Sequence, residues 1–248
     1  MQREHRVALT GAAILGALGL LALMTPRAAA ALRRADGKPT LRQVVGSLLR
    51  RSVPLPQPGQ AYLVVIVRRS HGQDAALPDP WDDWIGILRN VGGRLVWRCS
   101  VASGEPGWLP MWGKGRKPTN PKGCSRLAVP QFAPNAYGGG YHRWDTSRPA
   151  FRQVGPIYIE RFDRAAGRWR GPMVSTGSHN NHSTEPAPDW QRTQRKGVRD
   201  WSHGCPVVLD PAEHQRNLAA GGWTPAVDGV RLSLVTLDIK HLSEGSLT

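Results

Sequence analysis

Hydrophobic positions along the chain fall into distinct patterns rather than one even scatter. Val7–Met24 carries no charged residue, and Arg3 and Arg6 stand before it. Thr25-Pro26-Arg27 ends the run and the small residues Ala28–Ala31 follow, which is the order of an export signal. Left uncleaved, the same stretch is at the short edge of a membrane anchor, with the two arginines holding the N-terminus inside. Thr40–Arg50 then places Leu41, Val44, Val45, Leu48 and Leu49 on one helical stripe, with Thr40 and Gln43 at capping-box spacing. Arg42, Arg50 and Arg51 make this short helix basic, so it suits either a membrane surface or the flank of a main domain. Pro54, Pro56 and Pro58 predict an extended linker, with the domain boundary near Gln60. The expected organisation is therefore 1–31 signal or anchor, 32–59 basic and Pro-rich linker, and 60–248 main domain.

From Ala61 the pattern is mainly β. Tyr62–Val67 is a β-branched run, Leu95-Val96-Trp97 follows the turn pair Gly92-Gly93, and Pro156–Glu160 reads as another strand. Val230–Ile239 alternates, with a phase change between Leu234 and Val235 that predicts a bulge or a strand buried on both faces. One helix is well marked: Asp210 caps it, Pro211 takes the first helical position, and Gly221-Gly222 ends it. Gly104–Gly140, full of Gly, Pro and Lys, reads as loop.

Composition supports this outline. Among 248 residues, 28 Gly and 21 Pro exclude a helical bundle or coiled coil, while 40% hydrophobic content and ten Trp supply a core. Lys+Arg number 33 against 18 Asp+Glu, a net charge of +15 that favours an anionic polymer without choosing among nucleic acid, wall polyanion and membrane. The three cysteines are Cys99, Cys124 and Cys205. An odd count in an exported chain leaves an intermolecular bridge or one thiol kept for chemistry, and Cys99 and Cys124 stand either bridged or as separate thiols.

Cys205 is distinguished by its neighbours. Trp201-Ser202-His203-Gly204-Cys205-Pro206 puts an imidazole two residues before a thiol, with Gly between them. Cysteine attacks as thiolate, and nearby imidazole and backbone N–H groups are expected to raise the ionised fraction. Glycine directly before the nucleophile allows close backbone approach. Upstream, Ser178-His179-Asn180-Asn181-His182-Ser183-Thr184 offers imidazoles that folding can bring to the thiol.

Ser202-His203-Gly204-Cys205 resembles the signature of the L,D-transpeptidase catalytic domain, the cysteine enzymes that cross-link peptidoglycan through a 3→3 bond, and His182-Ser183-Thr184 is similar to that family's upstream His-Ser-Thr. The resemblance implies a β-sandwich-like catalytic domain with one or two short helices, here preceded by the apolar signal or anchor helix. It implies that Cys205 is the nucleophile and His182 its general base, held in the right tautomer by the Ser183 carbonyl. It further implies that His203 lines the site and that the N–H groups of Gly204 and Cys205 face the oxyanion. The spacer from Ser183 to Trp201 is longer than the family pattern, and Pro206-Val207-Val208 departs from the usual apolar residue followed by Arg or Asn. Arg199, Trp190 and Trp201 are the expected substrate contacts, on a basic flap over the site. Pro149–Gln153 is similar to a segment of phage-encoded relatives, which admits a lysis-type hydrolase.

The expected activity is acyl transfer on peptidoglycan peptides through a Cys205 thioester, in the periplasm or wall space, with no cofactor and no nucleic-acid partner. Two other classes stand beside it. Zinc held by His179, His182, His203 and Cys205 is one. A non-catalytic wall binder stacking sugars on Trp81, Trp84, Trp108 and Trp112 is the other. His71, His142, His214 and His241 have no partner visible in sequence and read as surface or hydrogen-bonded residues.

Overall fold

The structure, a computed structural model, describes residues 37–68, 81, 83–104, 106, 123–142, 145–177, 179–184, 202, 204–227 and 229–243. The expected export segment 1–31 and the residues Trp108, Trp112, Trp190, Arg199, Trp201 and His203 lie outside the described residues.

Among the described residues the fold is mainly β. The strands are β1 (Ala61–Val67), β2 (Asp83–Val91), β3 (Arg94–Ser103), β4 (Ser125–Leu127), β5 (Gln131–His142), β6 (Asp145–Gln153), β7 (Ile157–Asp163), β8 (Arg168–Ser175), β9 (His182–Ser183), β10 (Val207–Val208) and β11 (Arg231–Asp238). The helices are α1 (Leu41–Arg50), α2 (Pro211–Ala220) and α3 (Lys240–Ser243). None of these is long and apolar enough to cross a membrane.

Eight strands form one sheet in the order β6-β5-β11-β1-β2-β3-β10-β9, and β4-β7-β8 form a second, smaller sheet. The large sheet curls until its two edges meet. Phe151 in β6 and Asn181 just before β9 exchange both backbone hydrogen bonds, N–H to O at 3.0 and 2.8 Å, which nearly closes the sheet into a barrel.

Burial explains why β1 is apolar at every position. Leu63, Val65 and Val67 face one core with Phe151, Ile157, Leu218 and Leu234. Tyr62, Val64 and Ile66 face another with Val44, Leu48, Val235 and Leu237. A strand covered on both faces loses the polar alternation of a half-exposed one. β11 behaves the same way from Leu234 onward, and its pairing with β5 shifts register between Leu232 and Leu234, so bulge and double burial are both present.

The helix caps follow the sequence signals. Thr40 and Gln43 form the capping box of α1, and Asp210 caps α2 through the Ala212 and Glu213 N–H groups with Pro211 in the first turn. Glu213 also ties α2 to the sheet through Arg98 at 2.5 Å and Ser100 Oγ at 3.3 Å.

Two expectations are corrected. Residues 37–59, expected as a linker, belong to the packed body: Val44 and Leu48 are fully buried, Trp97 Nε1 donates to Pro39 O at 2.9 Å, and Tyr62 Oη donates to Pro54 O at 3.0 Å. The Gly104–Gly140 stretch is not loop throughout, because β5 runs through Gly138-Gly139-Gly140. Trp223 lies so close over Gly139 that a Cβ there would collide with the indole. These glycines serve close packing rather than turning.

Leu48→Ala is expected to cost about 2–5 kcal/mol, the usual range for a leucine removed from a core. Urea denaturation checks this, and a loss below about 0.5 kcal/mol, typical of a surface position, would mark α1 as peripheral.

Candidate functional site

The site forms where the sheet closes. β9 and β10 lie parallel, with Val207 beside His182 and Val208 beside Ser183, and β10 pairs on its other side with β3. The ladder extends at both ends: His182 N–H donates to Pro206 O at 3.3 Å and Thr184 N–H to Val208 O at 3.1 Å. The His-Ser-Thr segment is thereby fixed alongside the residues that follow Cys205.

His182 is buried, and its Nδ1 lies 2.7 Å from the Ser183 carbonyl oxygen. A carbonyl only accepts, so Nδ1 carries the hydrogen and Nε2 keeps its lone pair. This is the tautomer the sequence resemblance implies. Burial lowers the imidazole to about 3, opposed by the Ser183 hydrogen bond and reinforced by His142, His214 and Arg148. Cys205 is half-buried, and desolvation pushes its thiol up to about 11, partly offset by the Asn180 N–H that reaches Sγ at 3.4 Å. At neutral pH both partners are therefore uncharged. The expected rise in thiolate fraction is reversed, because burial outweighs the hydrogen bond from the Asn180 N–H.

A third residue joins them. His142, at the end of β5, sets its ring edge-on to His182 at 4.9 Å between centroids. One donor atom from each of His142, His182 and Cys205 lies within 4.8 Å of the other two. His142 was expected at the surface or in an ordinary hydrogen bond. It reaches the site through the β5–β6 hairpin, a path sequence spacing does not show.

The turn before Cys205 is held by Ser202, which is buried. Its Oγ donates to Cys205 O at 2.6 Å and accepts from Gly204 N–H at 3.0 Å. The second bond corrects one expectation: the Gly204 N–H is committed to Ser202 rather than aimed at an oxyanion. Gly204 itself sits at φ +143°, and an added Cβ would collide with the carbonyl oxygen and hydroxyl of Ser125 in β4. Close backbone approach is thus the reason for glycine here. Asn180 is also buried, and its Nδ2 has no hydrogen-bond partner among the described residues.

Other expected participants stand elsewhere. His179 Nε2 shares a hydrogen bond with Ser125 Oγ at 2.7 Å, and its Nδ1 lies 3.4 Å from Ser175 Oγ. It is a buried structural imidazole, absent from the His142–His182–Cys205 cluster, so the expected zinc set that included it is not assembled. His214 is buried on α2 with Nε2 3.2 Å from Pro149 O. Cys99 and Cys124 are not bridged: they lie in separate apolar clusters, Cys99 with α1 and Cys124 with Phe162 and Trp169. Trp84 is core, which removes it from the expected sugar-stacking set.

Gly204→Ala is expected to destabilise the fold by about 2–3 kcal/mol, since it adds both a collision and an unfavourable φ. Thermal or urea unfolding reads the loss. A pH effect follows from the buried histidines: His179 and His214 are each lowered by desolvation to about 4. The unfolded chain binds their protons near 6.5 while the folded chain refuses them, so stability is full above 6.5 and declines as pH falls toward 4. The urea midpoint should drop across this window, and His214→Gln should flatten the slope. No family model, curated protein or solved structure matches the chain.

Proposed function

We propose that the protein is a cysteine acyl-transferase acting on peptidoglycan stem peptides, an L,D-transpeptidase-like enzyme whose β-rich body is a form of that family's sandwich-like catalytic domain. The observation that carries this reading is the pairing of Cys205 with a neutral, buried His182 whose Nδ1 is tied to the Ser183 carbonyl. A thiol beside an imidazole with one nitrogen so fixed is the arrangement of an activated nucleophile and its base.

In the first half-reaction, Sγ attacks the carbonyl carbon of the donor amide as its proton passes to His182 Nε2. The C–S bond forms and the carbonyl π electrons move to oxygen. The tetrahedral intermediate collapses, the C–N bond breaks, and the leaving amine takes the proton from His182. In the second half-reaction an acceptor amine attacks the thioester carbon and yields its proton to His182. Collapse then expels the sulfur, which recovers that proton. Because thiol and imidazole are both neutral at rest, proton transfer accompanies attack and no standing thiolate is needed.

Ser202 acts as a positioning residue, holding the nucleophile turn through its two hydrogen bonds. Cys205 N–H and Asn180, whose buried Nδ2 has no hydrogen-bond partner among the described residues, are the candidate oxyanion donors in place of Gly204; one such donor is typically worth about 10²–10³ in rate. The +15 charge suits the carboxylates of a wall peptide. Export through residues 1–31, and a substrate flap carrying Trp190, Arg199, Trp201 and the neighbouring His203, belong to the same proposal on sequence grounds.

The full chain incubated with purified muropeptides and followed by mass spectrometry tests the reading. Cross-linked products from the parent, none from Cys205→Ser, and a loss of about 10²–10⁴-fold in His182→Ala but not in His179→Ala are expected. Trimmed peptides alone would assign hydrolysis at the same thioester. Neither product from a folded parent, or turnover retained in Cys205→Ser, overturns the proposal.

A further inference from the structure

We infer that His142, His182 and Cys205 form a site for one zinc-class divalent cation, supplying three ligands from among the described residues. Each residue contributes one donor atom to a group no wider than 4.8 Å. Two imidazoles and a thiolate are a donor set that Zn²⁺ binds well. Three protein ligands, the number supplied by the described residues, is also the count of an exchangeable or reactive zinc rather than a structural one, which takes four.

The surroundings fit the ion at each ligand. His182 donates its Nδ1 hydrogen to the Ser183 carbonyl, which leaves Nε2 as the ligating atom. Metal-binding histidines are usually oriented in this way by a carbonyl or carboxylate on the far nitrogen. Cys205 places its sulfur in the same group as the two imidazoles, with the Asn180 N–H 3.4 Å from it. His142 is half-buried at a hairpin end where the β5–β6 pairing shifts register between Tyr141 and His142. A tetrahedral ion with bonds of about 2.0–2.3 Å holds its ligand atoms roughly 3.3–3.8 Å apart. A separation as wide as 4.8 Å would have to close by about 1 Å, and the β5–β6 ladder is irregular beside His142.

This site differs from the zinc set anticipated from sequence spacing, because His179 is turned into Ser125 and Ser175 while His142 arrives from β5. Ligation releases the Cys205 thiol proton to solvent and forms an S–Zn bond, with no change of oxidation state. The inference stands on geometry and does not require acyl transfer. Where the protein is an acyl-transferase, metal and thioester compete for one sulfur, so the cation is a reversible inhibitor.

The test uses the full chain, reduced and stripped of metal, titrated with Co²⁺ and then with Zn²⁺. One equivalent of Co²⁺ should bind with a sulfur-to-metal charge-transfer band, and Zn²⁺ should displace it. Cys205→Ser should lose the band, and His142→Ala should weaken Zn²⁺ binding at least about tenfold. Zn²⁺ should also protect Cys205 from iodoacetamide in the parent at concentrations that leave His142→Ala labelled. His142→Gln replaces His142→Ala should the latter misfold by circular dichroism. No stoichiometric binding, a band that persists in Cys205→Ser, or equal affinity in the His142 variant overturns the inference. If zinc binds as expected and muropeptide products form only in its presence, the site stands and the cysteine acyl-transfer reading falls.

Discussion

The reciprocal pair of backbone hydrogen bonds between Phe151 and Asn181 is the constraint on which the rest of the arrangement depends. It joins the two edges of the large sheet, and the residues on either side of Asn181 are the two that address the thiol. Asn180 places its N–H on the Cys205 sulfur, and His182 supplies the imidazole. Asn181 is itself fully buried and sends Nδ2 to Pro206 O at 3.3 Å, so the closure is also stitched to the chain just after Cys205. Leaving such buried backbone groups unpaired is costly. A one-residue slip would turn each side chain to the opposite face, so the pairing also fixes which groups of 180–182 meet the sulfur.

The electrostatics of the cluster oppose those of the molecule. The chain is strongly basic, yet the groups around Cys205 are held uncharged by burial. Desolvation penalises thiolate and imidazolium alike, so a neutral pair is the resting condition and charge develops only when another molecule supplies a place for it. A carbonyl under attack offers such a place, and so does a divalent cation. Both demand the same lone pair on His182 and the same sulfur, which is why one geometry accommodates two chemistries.

Much of the fold was legible because local chemistry and tertiary role coincide. Thr40 with Gln43, and Asp210 with Pro211, name their helices by capping alone, and the β-branched run Tyr62–Val67 marks β1 as a strand. In the site, the Cys205 and His182 segments and the Ser183 carbonyl were readable from short motifs. What escaped depends on contacts that spacing does not encode. Gly138–Gly140 reads as turn chemistry until Trp223 is seen lying on Gly139. His142 reads as an isolated surface residue until the β5–β6 hairpin turns it toward His182. The Gly204 N–H reads as an oxyanion donor until the Ser202 hydroxyl is found to occupy it.

The docking of α1 bears on how the chain can be shortened. Val44 and Leu48 roof one face of the sheet over Tyr62, Val64, Ile66 and Leu237, and Arg50 Nη2 reaches across to the His241 carbonyl at 2.9 Å. A proteolytic cut before residue 37 would leave that roof in place. A cut among the prolines that precede β1 would strip it, laying bare a band of aliphatic side chains wide enough to draw copies of the sheet together. For any peptidase acting on this chain, a cut upstream of the helix is tolerated and one immediately after it is not. A fragment begun at residue 37 is expected to stay in solution, and one begun at Ala61 to precipitate.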